Sequence, residues 1–208
     1  MADALYLSLW YPNLRLASLA EKLTTVLGEF AKHGGQPLVY STTVWPVSWH
    51  ETPVFQRVYG RAVQQSSGDG PAQLGAEPKV AVDDALGLLH DDYAYEFQIG
   101  WSLWELEEAS WVRAQRLVRV TGFGPLFDEG AYEQEGHIRI DFGNDTPFLE
   151  EETELDSNAA RLIAENVRHL VDLTNAVEKA SGATARLLWS ELGESLAQRL
   201  AARLGKGN

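Results

Sequence analysis

From Tyr93 to Leu103 the chain alternates without a break. Tyr93, Tyr95, Phe97, Ile99, Trp101 and Leu103 take one parity, and Ala94, Glu96, Gln98, Gly100 and Ser102 take the other. Successive side chains of a strand point to opposite faces, so this period of two predicts a strand with one buried side. Glu107 to Ser110 offers a turn, after which Val112, Ala114, Val118 and Val120 continue the apolar parity. The two runs predict a central antiparallel hairpin over about 93–121. Any fold for this chain must therefore supply an apolar cover for one side of that hairpin.

The ends of the chain supply it. Residues 4–10 (ALYLSLW) suit a buried strand, and Leu16, Leu19, Ala20, Leu23, Val26, Leu27, Phe30 and Ala31 recur at helical steps. Asn13, or the capping-box spacing of Ser18 and Glu21, starts that helix, and Gly34 and Gly35 stop it. Residues 37–45 read as the next strand. A second unit repeats the order. His137 to Phe142 alternates, and Asp156 or Ser157 then caps a long helix marked by Ala159, Leu162, Ile163, Val167, Leu170, Val171 and Val177. Gly182 ends that helix, and residues 185–189 follow as a strand. A last helix carries Leu192, Leu196, Leu200 and Leu204.

The expected architecture is one α+β domain over 1–208. A mixed sheet holds the central hairpin (about 93–121) and the strands of two strand–helix–strand units (about 4–45 and 137–189), whose helices pack on the sheet. Each unit is either a parallel crossover or half of a split arrangement with another strand between. Residues 63–79, rich in Gly, Pro, Gln and Ser, read as a mobile loop, and a short helix is expected over Asp83–His90.

Charge is unevenly spread. Residues 63–155 hold 5 basic and 20 acidic side chains, a net of −15 against −13 for the whole chain. Such a field repels phosphate backbones, so nucleic acid is not an expected partner. No window approaches the ~20 apolar residues of a membrane span, so a membrane is not an expected partner either. The short apolar run at the start lacks the basic flank of a secretory signal, and the expected setting is the cytoplasm. With no cysteine in the chain, disulfides, thiolate metal sites and cysteine nucleophiles are excluded. Neither a GxxxxGK[ST] loop, a GxGxxG after a strand nor a GxSxG elbow occurs, and no cofactor is expected.

Two stretches invite chemistry. In residues 138–156, Asp141, Asp145 and Glu152 fall at positions 1, 5 and 12 of a calcium loop, but Gly143 and Thr146 stand where a ligand and the obligatory glycine belong. Asp141 to Gly143 spells a kinase magnesium tripeptide without its companion motifs. A strand ending at Phe142, a turn over 143–145 and acids leading into a helix explain this stretch more simply. In His90–Asp91–Asp92–Tyr93, a helix-capping histidine followed by a turn is the simpler reading.

The candidate binding residues are Trp104, Glu96, Asp91 and Asp92. Trp104 falls on the parity of Glu96, Gln98 and Ser102, where an aromatic can hold a cation or anchor a partner. The alternative metal ligands are His90, Asp91, Asp141 and Asp145. The leading expectation is a non-catalytic binding protein whose acidic middle suits a basic protein partner, as an inhibitor or neutralising protein would. The rivals are a metal-assisted hydrolase built on Asp91, Asp92, Asp141, Asp145 and one or two histidines, and a small-molecule-binding domain.

Overall fold

The computed structural model describes residues 3–33, 38–60, 75–150 and 156–191, with 193, 196 and 198–200. In chain order the elements are β1 (Ala4–Trp10), α1 (Leu16–Lys32), β2 (Val39–Pro46), β3 (Phe55–Val58), α2 (Pro78–Leu86), β4 (Tyr93–Glu107) and β5 (Ser110–Phe123). They continue with α3 (Tyr132–Glu135), β6 (Ile138–Asn144), α4 (Thr146–Leu149), α5 (Ser157–Ser181) and β7 (Ala185–Ser190).

The fold is α+β, built on one open sheet of order β3-β2-β4-β5-β6-β1-β7. Every hydrogen-bonded pair in it is antiparallel, where a mixed sheet was expected. Both strand–helix–strand units are of the split kind. β1 and β2 point the same way with β6, β5 and β4 between them, and β6 and β7 point the same way across β1. Parallel neighbours need cover on both faces, whereas an antiparallel sheet can leave one face to water.

The long helices cover one face. Leu5, Leu7 and Leu9 of β1, Phe97, Ile99 and Trp101 of β4, Val118 and Val120 of β5, and Ile138, Ile140 and Phe142 of β6 are buried. They share one core with Leu19, Leu23, Val26, Leu27 and Phe30 of α1 and Leu170, Leu173 and Val177 of α5. Trp101 is fully buried at the centre. Its ring lies 6.1 Å from Phe30, 5.4 Å from Phe142 and 6.1 Å from Phe148, and its Nε1–H donates to the His33 carbonyl at 3.0 Å.

The remaining boundaries correct some expectations. α2 begins at Pro78 rather than Asp83, since proline suits the first helical position where its missing N–H loses nothing. The expected loop at 63–79 therefore loses its last two residues to α2, and residues 61–74 lie outside the described ones. α1 has no capping box; the Ser18 hydroxyl donates to the Arg15 carbonyl instead. α5 is capped as expected, with the Asp156 carboxylate accepting from the Ala159 N–H at 2.7 Å and Gly182 at φ 71 closing it. The short strand β3 was not foreseen. Of the expected last helix, Leu196 and residues 198–200 are helical.

Beyond Ile99, β4 has no β2 partner, so part of its edge would be bare. Asn166 of α5 clasps it. Its Oδ1 accepts from the Trp104 N–H at 2.9 Å, and its Nδ2 donates to the Trp104 carbonyl at 2.7 Å and the Pro147 carbonyl at 2.8 Å. One fully buried amide thus imitates a neighbouring strand. Asn166→Ala leaves those three backbone groups without partners, and a loss of about 2–4 kcal/mol is expected. Urea unfolding measures it; a loss below about 1 kcal/mol would remove this role from Asn166.

Candidate functional site

The other face of the sheet carries polar side chains. Cross-strand pairing sets Thr43, Glu96, Thr121, Arg139 and Ser8 in one row, and Ser41, Gln98, Arg119, Asp141 and Tyr6 in the next. Arg119 pairs with Asp141 at 2.5 Å, and Asp141 also accepts from the Gly143 N–H at 2.8 Å. Arg139 pairs with Glu135, and its guanidinium lies 5.6–5.8 Å from the rings of Phe123, Tyr6 and Trp49. Glu96 sits among these pairs with no hydrogen bond or salt bridge to a described residue. Burial pushes its carboxyl pKa up, Arg119 and Arg139 pull it back, and Asp141 adds to the rise. Glu105, farther along the same strand, is raised by burial against the pull of Arg116.

Trp104 lies on this face, as its parity predicts. The cation over its ring belongs to the chain itself: Arg113, its register partner on β5, sits 5.3 Å from the ring centroid. Glu96 and Trp104 share a face of β4 but stand eight positions apart along it.

Asp91 and Asp92 lie elsewhere, at the end of the sheet where β2 and β5 finish and β4 and β6 begin. Three loops are laced together there. The Val47 N–H donates to the Asp92 carbonyl at 2.7 Å, the Leu126 N–H to the Asp91 carbonyl at 2.8 Å, and the Asp128 N–H to the Val47 carbonyl at 2.7 Å. Gly124 donates to the Tyr93 carbonyl at 2.8 Å, and a Cβ there would stand 2.4 Å from the Asp91 carbonyl oxygen, so only glycine fits that approach. Beneath the loops, Trp49 packs 5.0 Å from Phe127 and 6.0 Å from Phe123.

The surface of this end is unusual in three respects. Val47 is 53% exposed and Leu126 65%, with Leu88 and Leu89 also exposed. Segments 46–54, 87–93 and 124–133 carry Glu51, Asp91, Asp92, Asp128, Glu129 and Glu133 but neither lysine nor arginine. Val47 (φ 57), Asp128 (φ 46) and Glu129 (φ 57) all adopt the left-handed backbone region. For a β-branched residue that is a real outlier, and such strain of about 1–3 kcal/mol per residue gathers at functional sites. Nothing in the sequence marks these angles.

The alternative metal ligands do not assemble. His90 Nδ1 lies 2.6 Å from Asp92 in the loop before β4. Asp141 is engaged with Arg119 inside β6. Asp145 is buried beyond the other end of β6, where it accepts from the Asp3 N–H at 3.0 Å and pairs with Arg199. Among the described residues, no group of three or more His, Asp or Glu side chains could hold an ion. The strand also runs to Asn144, two residues past its expected end, and the helical turn α4 follows. Residues 151–155 of the acidic run lie outside the described ones.

No protein-family model matches the sequence, no curated protein matches it, and no solved structure matches the fold. The function therefore has to be argued from the site alone. Among the described residues no helix is long and apolar enough to cross a membrane.

The Glu96 environment has a measurable consequence. Its folded pKa stands above the ordinary 4.5, so between those two values the native state holds a proton that the unfolded state has released. Its contribution to stability is full below pH 4.5 and is lost as pH rises through the folded value. Glu96→Gln is expected to raise stability at pH 7 and to flatten its fall above pH 4.5. Denaturant unfolding from pH 4 to 8 checks this; an unchanged profile would mean that water solvates Glu96 fully.

Proposed function

We propose that this protein is a non-catalytic binding protein whose acidic loop end docks a basic protein. One observation carries the reading: Val47, held in a strained left-handed conformation and exposed, is bonded through its backbone to Asp92 and Asp128. Apolar and acidic side chains are thereby fixed side by side on a pre-formed surface. Apolar side chains at the centre of such a patch supply affinity, and the negative charge around them selects a partner of opposite sign and speeds encounter. Asp91 and Asp92 belong to this surface, while Glu96 and Trp104 lie outside it. The hydrolase reading has no assembled ligand set among the described residues to support it.

Surface-plasmon measurements against a panel of basic proteins and Lys/Arg-rich peptides test the proposal. For a true partner, the association rate is expected to fall roughly tenfold or more between low and high salt. Neutralising Asp91, Asp92, Asp128 and Glu129 to their amides is expected to abolish that salt dependence and weaken binding. Neutralising Glu21, Glu107, Glu108 and Asp172 changes net charge equally and serves as the control. Equal effects of the two sets would reduce the interaction to bulk charge and sink the loop-end reading.

Strain gives a second test. Asparagine tolerates the left-handed region far better than valine, so Val47→Asn is expected to raise stability by about 1 kcal/mol. The same change removes an exposed apolar group and is expected to weaken partner binding several-fold. Thermal unfolding and binding on one preparation would show the two moving in opposite directions; a variant both more stable and equally tight would remove Val47 from the interface.

A further inference from the structure

A cleft of about 340 Å³ opens between the first turn of α1, the end of β5 and the start of β6. That is within the range of clefts that hold small molecules. Leu14, Leu16, Leu19, Phe123 and Pro125 give it apolar walls, and His137 forms part of its lining. The His137 Nδ1 accepts the Tyr11 N–H at 3.2 Å, and Tyr132 packs 4.9 Å from the imidazole. An accepting nitrogen bears no proton, so in the neutral ring the proton sits on Nε2. Burial holds the His137 pKa below its ordinary value, which agrees with a neutral ring. Nε2 makes no hydrogen bond to a described residue. The cleft therefore combines apolar walls with His137, whose Nε2–H makes no hydrogen bond to a described residue.

We propose that this cleft binds an uncharged, mainly apolar small molecule of single-ring or fused-ring size whose carbonyl oxygen accepts from the His137 Nε2–H. The donor calls for an acceptor on the ligand. Charge argues against a carboxylate, because neither lysine nor arginine lines the cleft and the chain carries a net charge of −13. The cleft shares Phe123, Pro125 and Tyr132 with the loop end but none of its acids, so neutralising Asp91, Asp92, Asp128 and Glu129 separates the two readings: it weakens partner docking and leaves the cleft lining unchanged.

Protein-observed NMR titrations test it with acetophenone and indole-3-carboxaldehyde as probes. Ethylbenzene and indole are the carbonyl-free counterparts, and benzoate is the charged arm. The carbonyl probes are expected to bind roughly three- to tenfold more tightly than their counterparts, the ratio that one neutral hydrogen bond supplies. Shifts should fall on the methyl groups of Leu14, Leu16 and Leu19 and on the His137 Nε2 resonance. His137→Phe is expected to erase the carbonyl preference while hydrocarbon binding persists. Leu14→Trp, at a half-buried rim position, is expected to fill the cleft and abolish binding, with melting curves confirming the fold. Equal binding with and without the carbonyl, tightest binding of benzoate, or shifts centred on other residues would each overturn the proposal, and the wild-type titrations decide it even if a variant fails to fold.

Discussion

One constraint organises this molecule: a long hairpin with a single apolar face. Its inward row, from Tyr95 through Trp101 to Leu103, is buried almost completely. A row of that size in water would be prohibitive, since each aromatic withholds far more apolar area than a polar surface can mask. α1 and α5 answer it from one side, and the two split crossovers place both helices there together. The opposite face carries polar rows that follow from the same alternation, and Trp49, Phe123 and Phe127 cover part of it at the loop end. Even the bare edge of β4 is resolved from that helical layer, through Asn166.

The negative charge becomes intelligible on this frame. Much of it is answered locally: Asp83 by Lys79, Asp84 by Arg57, Glu105 by Arg116, Glu135 by Arg139, Asp141 by Arg119 and Asp145 by Arg199. The exposed pairs among these contribute little to stability, roughly 0–1 kcal/mol each, but all of them, the buried Asp145–Arg199 pair included, cancel the field locally. At the loop end, among the described residues, no lysine or arginine pairs with Asp91, Asp92, Asp128 or Glu129, and only His90 stands beside Asp92. The uncancelled charge of the loop end, rather than the total, distinguishes it from the rest of the surface.

Local pattern made most of the fold legible. β1, α1, α5 and the two hairpin strands stand close to where periodicity puts them, and α5 also where its Asp N-cap and glycine stop put it, because these are short-range signals; the glycine stop expected for α1, Gly34 and Gly35, lies outside the described residues. Strand order is long-range: local pattern left each strand–helix–strand unit either a parallel crossover or a split arrangement, and both units are split. β3 is a short edge strand with exposed residues, so burial wrote no alternation into it. The site was less legible. Asp91 and Asp92 were singled out for their charge, but Val47, Leu126 and Asp128 join them only through backbone bonds between distant loops. The cation above Trp104 could have been deduced, since a two-residue turn at Glu108 and Ala109 sets Arg113 opposite Trp104. The His137 tautomer could not, because it depends on a Tyr11 amide 126 positions away.

The loop end also shows why strain persists there. Three left-handed residues without glycine would relax if the loops were free. They are held because Val47, Asp128, Leu126 and the Asp91–Asp92 turn share backbone bonds, above a floor of Trp49, Phe123 and Phe127. A pre-formed surface loses less conformational freedom on binding than a loose one, so more of its contact energy appears as affinity. On the proposed docking role, the stability given up at Val47 is offset by an apolar side chain held among carboxylates before a partner arrives.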